Sequence, residues 1–107
     1  MLLDSSDASG SEFMHFCYNS NRTVLYTGVT NNLPYRLWQH KDDAKHSKDT
    51  FAGKYNCYNL VYYEHFDYID HAIDREKEIK GWTRKKKELL INSFNSEWQF
   101  LNDEIEV

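Results

Sequence analysis

The sequence predicts a small α/β domain, a three-stranded antiparallel sheet flanked by helices in the order β-β-α-β-α-α. Three observations carry this. Two short apolar, aromatic-rich runs stand close together around the polar turn NSNR, a third such run, LVYYEHF, comes later, and the segments that follow the runs carry helix-type caps and stripes. A chain of 107 residues suffices for one core but not two.

Taken in order, MLLDSSDASGSEF has a linker's Ser/Asp/Gly composition, and GSEF before Met14 reads as a vector-derived scar. Residues 1–13 are therefore set aside as a vector-derived or disordered leader, 14–98 as the domain, and 99–107 as an acidic tail. His15 to Tyr18 reads as a strand, NSNR as a turn and TVLYTGV as a second strand, most simply a hairpin. Asn31 and Asn32 supply an N-cap and Pro34 falls in the first turn of a helix running to about Lys45. AKHSKDTFAGKYNCYN has no periodicity and reads as a loop before the third strand, Leu60 to Phe66. Asp67 is expected to cap a helix over Tyr68 to Lys80 that Gly81 stops, and Thr83 to cap RKKKELLINSF. Trp98 and Leu101 suggest a short docked turn in the tail.

Composition narrows function only partly. No apolar run approaches a membrane span and no secretory signal opens the chain, so the expected address is the cytoplasm. Cys17 and Cys57 lack any disulfide-framework or zinc spacing and are expected to be free thiols. The net charge of -4 hides an asymmetry, because residues 1–12 and 97–107 hold seven acids and no Lys or Arg, leaving the middle at +3. Such a middle permits a nucleic-acid partner.

The helical stripes are the informative feature. With Leu33 at zero and 100° per residue, Leu37 falls at roughly 40°, Ala44 at roughly 20°, Arg36 at roughly -60° and His40 at roughly -20°. With Ile69 at zero, Glu76 falls at roughly -20°, inside the next helix's stripe. Polar residues there can be stripe-edge groups that snorkel or pair. Three from two helices, beside a strand tyrosine, are read instead as a site suited to phosphodiester hydrolysis. A guanidinium can stabilise charge developing on phosphate, a carboxylate can hold Mg2+, and His or Tyr can handle a proton. Arg84, Lys85, Lys86 and Lys87 crowd cations into the first turn of a helix, which a bound phosphate would relieve; a merely solvated basic turn is the alternative.

The pieces LYTGVTNNL, R-L-W-Q-H, LVYYEHF and AIDREKEIKGWTRKKKELLINSFN, in this order over Met14 to Trp98, resemble the GIY-YIG endonuclease superfamily. The similarity is to its small single-domain members and to the N-terminal nuclease domain found in the incising component of excinuclease ABC. The resemblance implies an endonuclease acting on DNA, branched or damaged, with one divalent cation, Mg2+ or Mn2+. It implies that Tyr26 and Gly28 are the second half of the signature, with Tyr26 touching the attacking water or scissile phosphate. Arg36 would be the helix arginine, His40 a second polar catalytic group one turn on, and Glu76 the metal ligand. Asn92, or Asn95, would brace the site. The first-strand tyrosine falls to Tyr18, which stands closer to Tyr26 than the pattern expects, or its register is filled by His15. Val29 stands where the excinuclease domain has a lysine. Histidine, with an ordinary pKa of about 6.5, accepts a proton at neutral pH more readily than a tyrosine at about 10, so the proton goes to His40 and positioning to Tyr26. Lys54 and the Arg84 to Lys87 turn would contact backbone phosphates. Two rival readings keep the fold: a non-catalytic nucleic-acid-binding module, and an interaction protein.

Overall fold

The computed structural model describes residues 12–46 and 54–105. Strands β1 (Glu12–Tyr18), β2 (Leu25–Thr30) and β3 (Asn59–Phe66) form one antiparallel sheet in the order β2-β1-β3. The first strand starts at Glu12, so Glu12 and Phe13, set aside with the leader, pair with β3, and Phe13 also pairs with Thr30 of β2. The leader reading of residues 1–11 lies outside the described residues. In the β1–β2 turn, Asn19 Oδ1 accepts from the amides of Thr23 and Val24, and Arg22 adopts a left-handed φ of 56°.

The sheet is covered on both faces, and strand alternation decides which residue goes where. Helix α1 (Leu33–Lys45) lies on one face, where Leu33 and Leu37 pack with Cys17, Leu60 and Leu101. Helices α2 (Ile69–Lys80) and α3 (Arg84–Phe94) cover the other, where Ile79 and Ile91 meet Met14, Phe16, Tyr18, Val61 and Tyr62. Local caps hold as expected at two helices: Asn32 accepts from the Tyr35 amide and Thr83 from the Lys86 amide. The α2 cap differs. Tyr68, not Asp67, is the N-cap and makes no side-chain cap bond.

Two long-range features shape β3. Phe16 pairs with Tyr62 but Cys17 with Leu60, so Val61 is an extra residue in β3, a bulge that turns Val61 and Tyr62 to the same face. The buried Asn95 donates from Nδ2 to the Val61 carbonyl at 3.1 Å, giving a bulge group a partner. Along β3 the tail acts as a partial strand. Leu101 N–H donates to Leu60 O at 2.7 Å, while Asn102 accepts from Leu60 N–H and donates to Tyr58 O. A short helix α4 (Asn102–Ile105) then packs toward α1 through Ile105. Residues 99–105 are thus integral to the sheet's edge, which their acidity concealed.

Both cysteines are buried and free; burial raises both thiols, Cys57 to about 11, so neither is a ready nucleophile. Among the described residues no helix is long and apolar enough to cross a membrane.

Candidate active site

The site begins with a glycine that makes room. A Cβ at Gly28 would come within 2.6 Å of Tyr26 Oη and 2.7 Å of its ring, so the tyrosine lies back along its own strand over the space glycine leaves. In that pose Tyr26 Oη accepts a hydrogen bond from Arg36 Nη2 at 3.2 Å. Arg36 Nη1 donates to Gln39 Oε1 at 2.9 Å, and its Nε is buried without a partner among the described residues. Gln39 is a positioning residue that sequence reasoning missed. Its signal was its place one turn beyond Arg36.

Two histidines back this pair. His40, buried on α1, meets the Tyr26 ring edge-on with centroids 4.8 Å apart, and its Nε2 has no partner among the described residues. Burial first, then Arg36, push His40 down to about 4 against the pull of Asp43, so it is neutral at pH 7. His15 pairs across β1–β2 with Gly28, its ring 5.8 Å from that of Tyr26 and 5.7 Å from that of His40. Burial, then His40 and Arg36, push it down to about 3. The Gly28 backbone pulls the other way without reaching hydrogen-bond geometry with either ring nitrogen.

His15, not Tyr18, therefore stands beside Tyr26. Three residues along a strand reverse the side, so Tyr18 points to the opposite face. There its hydroxyl donates to Glu88 at 3.1 Å and accepts from Arg84 Nε at 3.2 Å. The same arginine reaches Glu88 and the Thr23 carbonyl. Tyr18 and Arg84, expected at the reaction and at phosphate respectively, thus form a structural lock between the hairpin and α3.

The second helix contributes at the edge. Ile69, taken as the stripe's centre, is exposed; the buried positions are Ala72 and Ile79. Glu76 consequently sits at the stripe's rim, 19% exposed, with Lys80 Nζ 3.3 Å from its carboxylate. Lys80 and Lys87 join Leu25, Tyr26 and Thr27 around a cavity of about 310 Å3 beside β2. Tyr26 thus lies between two groups: Arg36 and His40 on the α1 side, and Lys80 and Lys87 on the α2–α3 side, with Glu76 joined to the latter through Lys80. Burial, with Arg84 and Lys80 nearby, lowers the Lys87 ammonium's pKa, as a crowded cation site does. Lys80 went unremarked in the sequence, although it stands one turn from Glu76.

Other expected residues stand elsewhere. Asn92 Oδ1 accepts from Trp98 Nε1 at 3.2 Å, and Asn95 is committed to Val61 and Gln99. Lys86 lies over the Trp82 ring, Lys54 over Tyr55, and Lys85 is exposed on the first turn of α3. Among the described residues, no group of three or more His, Cys, Asp or Glu side chains is arranged to hold a metal ion.

Comparison with known proteins shows the family. A family model described as the GIY-YIG catalytic domain matches residues 13–89. A UPF0213 protein of Bacillus pumilus is 40% identical over 73 residues, 68% of this chain and 71% of its own. Another, of Natronomonas pharaonis, is 40% identical over 68 residues, 64% and 76% of the two chains. That of Clostridium perfringens is 41% identical over 71 residues, 64% and 71% of the two. Their names state no activity. No solved structure gives a significant match.

Proposed function

The chain belongs to the GIY-YIG family, a nuclease-type family, and on that premise we propose that it hydrolyses DNA phosphodiester bonds, branched or damaged DNA in repair or recombination being the intended substrate. The observation that carries the reading is the Tyr26–Arg36 hydrogen bond, held over Gly28 and backed by a neutral histidine.

Each residue has a chemical task. The Arg36 guanidinium, oriented by Gln39 and Tyr26, pairs with non-bridging phosphate oxygens and stabilises charge as it builds. Tyr26 positions the water or the phosphate. His40, neutral with an unpartnered Nε2, accepts the proton of the attacking water, and the anionic substrate raises its basicity from the low resting value. Lys80 and Lys87 hold phosphate at the cavity beside Tyr26. One partly exposed carboxylate, Glu76, fits Mg2+ or Mn2+ held mainly by water and phosphate, which prefers such a shell to an all-protein cage. That cation, when bound, supplies Lewis-acid stabilisation of phosphate oxygens.

A second reading, a binding module without turnover, is favoured by Lys80, whose ammonium already neutralises the Glu76 carboxylate. The two separate on supercoiled plasmid incubated with wild type and Glu76→Ala in Mg2+ and in Mn2+. Nicking by the wild type and its loss in Glu76→Ala support the nuclease; equal nicking by both overturns the metal assignment. Salt-sensitive binding without nicking selects the binding module.

A further inference from the structure

Resting on the nucleic-acid reading above, we propose that Tyr35 and Trp38 form a stacking shelf for unpaired DNA bases, so that the preferred substrate is single-stranded beside the scissile phosphate. Both side chains are 56% exposed, although large aromatics usually gain by burial. Their rings are stacked, centroids 5.8 Å apart and planes inclined by 27°. Two nearly parallel exposed rings offer a flat π surface that another flat ring can extend.

The position selects the occupant. Both residues lie on α1, the helix that carries Arg36. At 100° per residue, Gln39 lies about 60° round from Arg36, Tyr35 about 40° beyond it and Trp38 about 60° further. Tyr35 thus lies about 100° and Trp38 about 160° round α1 from Arg36, so a strand whose phosphate is held at Arg36 wraps round the helix past Gln39 to lay its following bases on the two rings. The rim beyond is cationic: Trp38, Lys41 and Lys45 enclose a cavity of about 200 Å3. Asp42, on the same rim, faces the His46 ring at 3.3 Å. Aromatic faces interleaved with lysines suit a polyanion whose flat bases are exposed. In a duplex those faces are buried in the stack, so the shelf discriminates by strandedness and not by sequence.

The test is binding by the full chain, in EDTA so that nothing is cut, to a labelled single-stranded oligonucleotide and to a long blunt duplex. Trp38→Ala is expected to weaken the single strand about tenfold, the effect of one lost base stack. Trp38→Phe should keep most of the affinity, and duplex binding should be unchanged by either. An equal loss on both DNAs, or no loss on the single strand, overturns the shelf. So does conversion of a dimer to a monomer by Trp38→Ala with single-strand binding intact, which would make the surface a contact between two copies. If the wild type binds neither DNA, the nucleic-acid reading itself fails; if it binds in EDTA, and nicks plasmid once Mg2+ or Mn2+ is supplied, while Trp38→Ala behaves identically, only the shelf does.

Discussion

The two faces of the sheet handle polar groups in opposite ways. Facing α2 and α3, nearly every such group is matched. Tyr18, Arg84 and Glu88 bond one another. Arg75 grips both oxygens of Glu64 at 2.9 and 3.0 Å and Glu78 at 3.1 Å, Tyr62 donates to Glu64, and the Arg75 guanidinium lies over Trp82. Facing α1, both ring nitrogens of His15, His40 Nε2 and Arg36 Nε are buried without partners among the described residues. Matched polar groups stabilise a fold, whereas buried groups without a protein partner cost stability unless water or a ligand meets them, and they collect at functional sites. Among the arginines and tyrosines, which both faces carry, the contrast separates structure from chemistry more sharply than residue type does; Glu76, the proposed metal ligand paired with Lys80 on the α2–α3 side, stands outside it.

The two arginines give the most direct way to break the comparison. Arg36→Ala is expected to lower nicking of plasmid by about 100- to 1,000-fold, the effect of removing one preorganised charge-stabilising donor, while the thermal midpoint hardly moves. Arg75→Ala should do the reverse. Leaving Glu64 and Tyr62 without their cation in a partly buried setting is expected to lower stability by about 2–3 kcal/mol, with activity kept at temperatures where the protein remains folded. Urea unfolding and the nicking assay on the same two preparations check both. If Arg36→Ala unfolds the protein, or Arg75→Ala abolishes cleavage by folded protein, the division between faces is wrong.

Acid sharpens the same contrast. His15 and His40 titrate near 3 and 4 when folded and near 6.5 when unfolded, so between these values the unfolded chain binds more protons. Stability on their account is therefore fully present above about pH 6.5 and declines as the pH falls through that window. From pH 6.5 to 5.5 the pair should remove about 2 kcal/mol of stability, measured by urea unfolding at the two values. His15→Phe should halve the loss, because phenylalanine fills the buried space without a proton to take up. A flat profile would mean that the histidines are not buried in their neutral form.

What could be read in the sequence was what neighbouring residues decide. Asn32, Pro34 and Thr83 mark helix starts because a cap acts within one turn, and His40 could be assigned inward with Arg36 half-buried at the stripe's edge because helical phase is local. Glu76 stands at the rim of the α2 stripe and not at its middle, because the stripe is centred on Ala72 and Ile79, while Ile69 is exposed. Long-range geometry was hidden. The Val61 bulge depends on pairing with a strand more than forty residues earlier, and nothing in LVYYEHF distinguishes it from a regular buried strand. The resemblance offers Tyr18 or His15 for the first-strand position, and strand alternation, which puts the two on opposite faces, leaves His15 beside Tyr26. The tail's docking through Leu101 could be suggested, but its acids masked Asn102 and the pairing of both residues along β3.

The smallest effect is expected at the first turn of α3, where the two demands meet on one residue. Lys85 is exposed, a cation beside the positive end of a helix dipole, with Arg84, Lys86 and Lys87 adjoining. Its neighbours are occupied, Arg84 by Tyr18 and Glu88 and Lys86 by Trp82, while Lys87 faces the cavity beside Tyr26. If Lys85 serves only to meet phosphate, removing it should relieve repulsion and raise stability. Lys85→Ala is therefore expected to gain a few tenths of a kcal/mol in urea unfolding. It should also flatten the salt dependence of DNA binding by about one phosphate contact, a change of roughly 0.9 in the slope of log K against log salt. A loss of stability would instead give Lys85 a structural role like those of Arg84 and Lys86, and an unchanged salt slope would confine phosphate binding to the cavity lined by Lys80 and Lys87.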